Sequence, residues 1–225
     1  MSKIFCFSNH KGGTGKSTTC LNVGAGLALN NKKVLYELFL EGAKIEESIV
    51  KINDNLHLVP SSLDLSGAEI EISHIKNRDT VLKRLIKPIE NNYDYILIDA
   101  PPSMSLLTLN GLIASEKVFI PVQSEFLALN GLAKFIEIIN KIKALNKHLE
   151  IGGVIATRYD HRKVLNRGVV DKIRELFAEK MLKAIIRENI ALAESVAGGM
   201  DIFAYSPKSN GAEDYTSLVN EIIKL

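Results

Sequence analysis

No run of about 18 or more apolar residues occurs in this chain of 225 residues, so no transmembrane helix is predicted from it. A secretory leader is not expected either, because Met1 to Phe7 reads as too short and too strand-like to serve as one. Cysteine is scarce. Cys6 and Cys20 fall in an expected strand and an expected helix, lack metal-ligand or redox spacing, and read as buried reduced thiols. Repeats, low-complexity tracts and an interdomain linker are absent too, and the length suits one well-buried core, so a single domain over residues 1–225 is expected. What remains is an ordinary globular composition, with 46% hydrophobic and 24% charged residues, expected to work in the cytoplasm.

Net charge is small, at +2, but unevenly placed. Between Leu132 and Arg187 thirteen Lys/Arg stand against six Asp/Glu, a local excess of seven positive charges that leaves the rest of the chain net acidic. Such a stretch can attract a polyanion even when the whole chain is nearly neutral. A pair of solvated helix faces with no partner is the competing reading.

Apolar runs alternate with segments of helical spacing. Strands are predicted over Lys3–Asn9, Lys33–Phe39, Leu56–Pro60, Tyr95–Ile98, Val118–Pro121 and Ile151–Ala156, the later ones being continuous apolar runs suited to a sheet covered on both faces. Helices are predicted over Ser17–Leu29, Asp79–Ile89, Leu129–Leu145 and Glu213–Ile223. This alternation specifies an α/β fold with a doubly wound, mainly parallel β-sheet flanked by helices.

The segment from His10 to Thr18 carries the strongest chemical signal. Gly12, Gly13 and Gly15 permit a loop whose backbone N–H groups point inward around phosphates, and the helix that follows adds the positive end of its dipole. Within that loop, Thr14 and Thr18 complete the nucleotide cradle, Lys16 would pair with the β- and γ-phosphates, and the Ser17 hydroxyl would ligate Mg²⁺. Gly15-Lys16-Ser17 is the ending of the general phosphate-loop pattern, but its opening glycine is replaced by His10, and Lys11 follows at once. Asp99 ends an apolar strand, from which a carboxylate can hold the Mg²⁺ shell through water. The bland alternatives are a glycine-rich turn and a turn-forming aspartate.

The Lys11-Gly12-Gly13-Thr14-Gly15-Lys16-Ser17 form resembles the deviant Walker A motif of the ParA/MinD family of P-loop ATPases, and Asp99-Ala100-Pro101-Pro102-Ser103 resembles its Walker B segment in the ParA branch. The likeness covers nearly the whole chain, through Ile120–Leu132, Thr157–Asp160, Asn189–Ser195 and Tyr205–Tyr215, and is nearest to the short ParA/Soj type. It implies ATP and Mg²⁺ as cofactors, a homodimer formed with ATP, and Lys11 reaching across that dimer to the partner's nucleotide. Lys11, Lys16 and Asp99 would be the catalytic groups, and Pro207 would contact the adenine. It also implies non-specific DNA as a partner, nucleoid association and a ParB-like stimulating protein. Phosphate contacts would come from Arg158, Arg162, Lys163, Arg167 and Arg187. The C-terminal Val219–Leu225 lacks a basic amphipathic face, so membrane attachment is the weaker reading.

Two segments depart from the family. Aligned without a gap, Leu38 and Leu40 occupy the places of two switch-region aspartates, with Glu41 and Gly42 following; a shift of one residue recovers only Glu37 and puts Phe39 at the second place. Losing an acid that positions water is expected to slow hydrolysis while sparing binding. Alternatively, Glu37, Glu41, Glu46 or Glu47 substitutes from a displaced loop. In the late segment Ile186-Arg187-Glu188-Asn189, Glu188 stands where relatives carry arginine. The expected function is an ATP-switched partition protein. The alternatives are a nucleotide-binding regulator or scaffold without turnover and a MinD-like membrane-positioning ATPase.

Overall fold

The computed structural model describes residues 2–37, 45–60, 65–125 and 127–225. Its strands are β1 (Lys3–Phe7), β2 (Val34–Glu37), β3 (Val50–Lys51), β4 (Leu56–Val59), β5 (Tyr95–Asp99), β6 (Lys117–Gln123), β7 (Glu150–Tyr159) and β8 (Met181–Arg187). They form one sheet in the order β3-β4-β2-β5-β1-β6-β7-β8, parallel throughout except where β3 meets β4. The helices are α1 (Lys16–Leu29), α2 (Leu65–Ser73), α3 (Val81–Ile86), α4 (Leu106–Ala114), α5 (Leu127–Ile142), α6 (Val164–Phe177), α7 (Ile190–Ala197), α8 (Ile202–Tyr205) and α9 (Asn210–Ile222). The doubly wound α/β architecture expected from the alternation is the one observed.

Side chains alternate along each strand, so the central strands feed two cores. Phe5, Phe7, Tyr95, Leu97 and Phe119 face α1 and α9, where they meet Cys20, Val23, Leu27, Tyr215, Leu218 and Val219. Cys6, Ile96, Ile98, Ile120 and Val154 face α3 to α6, against Leu82, Leu112, Phe135, Ile139, Val170 and Ile173. Both cysteines are buried free thiols, as expected, and burial raises both of their pKa values. Where Gly26 of α1 faces α9, a Cβ would come within 2.6 Å of Val219 Cγ2, so the two helices approach this closely only because residue 26 is glycine.

The expected helix over Asp79–Ile89 is shorter, Val81–Ile86, and at its end Pro88 offers no N–H to continue the ladder. The last helix begins earlier than expected, at Asn210, since the Ser209 side chain caps it by accepting from the Ala212 N–H. Strands β3 and β8 and helices α2, α4, α6, α7 and α8 are not among the expected elements. Leu38, Phe39, Leu40, Glu41 and Gly42, on which the switch-region expectation rests, lie outside the described residues.

Strand β8 is an edge, and its outward N–H groups are occupied by side chains of α9. Glu221 accepts from the Lys183 and Ala184 amides at 2.9 and 3.0 Å, and Asp214 accepts from the Arg187 amide at 2.8 Å. The two acids stand seven residues apart, two turns along one helix face. No helix among the described residues is long and apolar enough to cross a membrane.

Candidate nucleotide and metal site

The loop between β1 and α1 is shaped by its own first residues. Asn9 donates to the Pro121 carbonyl at 2.8 Å and accepts from the Lys11 amide at 3.1 Å, which ties the start of the loop to β6. Gly13 and Gly15 have φ of 73° and 82°, the left-handed region that glycine enters without strain. Gly15 is the cap of α1, and no side chain bonds to the helix's first amides there. A helix N-terminus with free amides and no acid in its first turn is a site for an anion. Thr157, at the end of β7, holds the loop from the other side by donating to the Thr14 carbonyl at 2.9 Å.

Lys16 is buried and donates to the Lys11 carbonyl at 3.2 Å. Burial lowers its pKa, and the Asp99 carboxylate opposes that. Asp99 is buried in turn. Desolvation pushes its carboxyl up to about 6, against the stabilising effect of the Ser17 hydroxyl, the Lys16 ammonium and the Tyr36 hydroxyl. Tyr36 donates to Asp99 Oδ2 at 3.4 Å, while Oδ1 is buried with no hydrogen-bond partner among the described residues. A buried carboxylate oxygen left open beside the exposed Ser17 hydroxyl suits a Mg²⁺ ion held by phosphate oxygens, one hydroxyl and water. Among the described residues no three His, Cys, Asp or Glu side chains converge on a metal position. The residues present therefore fit the group, and Ser17 and Asp99 are the ones that would hold it.

Beside the loop lies a cavity of about 500 Å³, floored by Gly13, Gly15 and Thr18, walled by Thr157, Ile186 and Leu192, and rimmed by Arg158 and Glu188. It falls within the range of small-ligand sites. Pro207 does not line this cavity; it is exposed in the turn between α8 and α9. Lys11 is half-buried and pairs with Glu125, its Nζ 3.3 Å from Oε2.

The five arginine and lysine residues expected to meet DNA lie between the ends of β7 and β8 and the start of α6. Four of them are paired with carboxylates. Arg158 and Lys163 converge on Glu188 at 3.5 and 2.9 Å, and they hold its carboxyl below the usual range. Arg162 grips Asp160 at 2.8 Å, and its guanidinium depresses that carboxyl strongly. Arg187 is bound by Asp214 at 2.6 Å and Glu213 at 2.7 Å, which raise its already high pKa. Arg167, by contrast, donates to the His161 carbonyl and has no carboxylate partner among the described residues. Charge counting along the chain missed the pairings on Glu188, Glu213 and Asp214, as it missed Tyr36 and Glu125, because each joins residues far apart in sequence, whereas Arg162 and Asp160 are near neighbours.

The family described as an AAA domain matches residues 2–37 and 35–151. The sporulation initiation inhibitor protein Soj of Bacillus subtilis strain 168 is 38% identical over 249 aligned positions, covering 99% of this chain and 98% of that protein. The chain belongs to the ParA/Soj family of P-loop ATPases. The chromosome-partitioning ATPase Soj of Treponema pallidum is 37% identical, with 99% of this chain and 98% of that protein covered. Among solved structures, cobyrinic acid a,c-diamide synthase from Mycobacterium smegmatis with bound ADP and magnesium superposes with a TM-score of 0.84 at 26% identity, covering 100% of this chain and 95% of that one. With 249 aligned positions against 225 residues, at least 24 positions of the Bacillus Soj alignment have no counterpart here. The two segments that match the AAA-domain family meet at residues 35–37, which puts an interruption of the family pattern where β2 ends.

Proposed function

We propose that this ParA/Soj-family chain is an ATP-switched partition protein: it binds ATP with Mg²⁺, dimerises around the nucleotide and positions DNA or another cargo in the cytoplasm, with a ParB-like protein stimulating it. The observation that carries the reading is the glycine-shaped loop whose free helix amides, buried Lys16 and open Asp99 oxygen converge at one end of the sheet. When bound, Mg²⁺ would neutralise charge on the phosphates. The chain's own groups do the rest. The loop amides and Lys16 hold the phosphates, Ser17 and Asp99 orient the ion's shell, and the neighbouring cavity takes the nucleoside. Lys11 acts in trans by exchanging Glu125 for the partner's phosphate.

Hydrolysis is slow in this reading, because the family pattern is interrupted where β2 ends and, in either register of residues 37–40, at least one switch-region acid has no counterpart. DNA affinity is modest, because most of the basic groups are already paired; association with the nucleoid would then depend on ATP and low salt. The same two observations favour, as a second reading, a nucleotide-held regulator that does not turn over.

Phosphate release with Mg-ATP, with and without random duplex DNA, alongside equilibrium binding of a fluorescent ATP analogue, separates the readings. Slow turnover stimulated by DNA supports the partition ATPase; tight binding with no turnover under any condition supports the regulator. Lys16→Ala is expected to abolish nucleotide binding. Lys11→Ala is expected to spare it and weaken the ATP-dependent dimer seen by sedimentation, and normal dimerisation of that variant would remove Lys11 from the interface.

A further inference from the structure

Tyr36 sits in the middle of β2, in register with Leu97 of β5, and with Leu97 faces α1, in the core that includes Cys20 of that helix. Asp99 lies two residues beyond Leu97, so its side chain emerges on the same face of the sheet, one step nearer the phosphate loop. The Tyr36 ring fills the core, as a phenylalanine would do equally well. Its hydroxyl is what a phenylalanine could not supply, and burying an unpaired hydroxyl is costly. Tyr36 is 9% exposed, and among the described residues its hydroxyl has one hydrogen-bond partner, Asp99 Oδ2. The two oxygens of Asp99 are thereby divided: one is anchored to β2, and the other is left open beside Ser17 and Lys16.

We propose that Tyr36 is a positioning residue for the metal end of the site, fixing the Asp99 carboxylate so that its free oxygen faces the Mg²⁺ shell. The inference rests on the reading that the chain binds ATP with Mg²⁺. A carboxylate on a strand end can rotate about two bonds, and each orientation lost to rotation weakens its hold on an ordered water. A hydroxyl anchored in the core removes that freedom from the neighbouring strand.

The test is Tyr36→Phe, read by binding of a fluorescent ATP analogue across a Mg²⁺ titration and again in excess chelator, with Asp99→Asn and the double variant in parallel. A hydrogen bond of 3.4 Å to a charged group belongs at the weak end of its class, so the Mg²⁺ concentration for half-maximal binding is expected to rise about fivefold. Affinity without metal should stay within about twofold, because the phosphate-binding amides and Lys16 are untouched. In the Asp99→Asn background the Tyr36→Phe change should have no effect on Mg²⁺ dependence. An unchanged Mg²⁺ midpoint overturns the proposal, as does an equal loss of affinity with and without metal, which would make Tyr36 a packing residue. A shift that persists without Asp99 overturns it too, since the effect would then not pass through that carboxylate. If the wild-type chain binds no nucleotide in either condition, the ATP-Mg²⁺ reading itself falls, and Tyr36 with it.

Discussion

Replacing Glu188 by glutamine removes one carboxylate that holds two cations, Arg158 at 3.5 Å and Lys163 at 2.9 Å. Lys163 keeps a distant contact with Asp160 at 4.0 Å, while Arg158 has no other ion-pair partner among the described residues. Both pairs are about half exposed, so the folded state should lose less than about 1 kcal/mol. The effect on a polyanion should be much larger. Each phosphate neutralised steepens the dependence of log K on log salt by about 0.9, so two freed cations predict a slope steeper by about 1.8. If the lines for wild type and variant meet near 1 M salt, that difference amounts to roughly a 60-fold gain in affinity at 0.1 M. The assay is fluorescence anisotropy of a labelled random duplex with ATP, at several salt concentrations between 50 and 200 mM, about the range over which phosphate contacts are resolved. A slope for the variant equal to that of wild type would refute the argument, since the pairing would then not restrain these cations. A wild-type slope already near that of five free cations would refute it as well.

Asp99→Asn is expected to stabilise the apo chain while impairing Mg²⁺-dependent nucleotide binding. Burial raises the Asp99 carboxyl from 3.8 to about 6, so between those values the unfolded chain gives up a proton that the folded chain keeps. Stability therefore falls as pH rises through that window and stays lowered above it, by about 3 kcal/mol at most. Urea unfolding should show the gain from Asp99→Asn at pH 7 and little of it below about pH 4, and equal gains at both would contradict the cause assigned. Gly26→Ala would force a methyl to within 2.6 Å of Val219, and the resulting overpacking of about 1–3 kcal/mol should outweigh the better helix propensity of alanine. Calorimetry should find the melting temperature lowered by several degrees, and an increase would mean that α9 yields freely. Glu221→Ala should leave two β8 amides bare and increase self-association at high protein concentration, seen by light scattering.

The phosphate loop was legible because its chemistry is local. Glycines that must turn to positive φ, a lysine, a hydroxyl and the helix they introduce all lie within nine residues, and strand-run periodicity located β1 and β5 on either side. Strand β8 escaped because Lys183 interrupts a short apolar run inside a segment dominated by basic residues. How many charges of the basic region are paired was not legible, for a physical reason. A count along the chain treats every lysine and arginine as free, yet Glu188, next to the counted window, and Glu213 and Asp214, in α9, fold back onto it. Tyr36 left no signal in sequence because its significance depends on a register with β5 across some sixty residues of chain.

The clasp of α9 on β8 limits how copies of this chain can join. A strand whose outward amides already answer to Glu221 and Asp214 cannot recruit a strand from a neighbour, so the sheet cannot grow across that border into a continuous ribbon. On that side of the sheet assembly is steered toward helices and loops, including the end where the phosphate loop opens. At the β8 border an encounter that can be governed by a nucleotide is left available, and one that would proceed without any switch is closed.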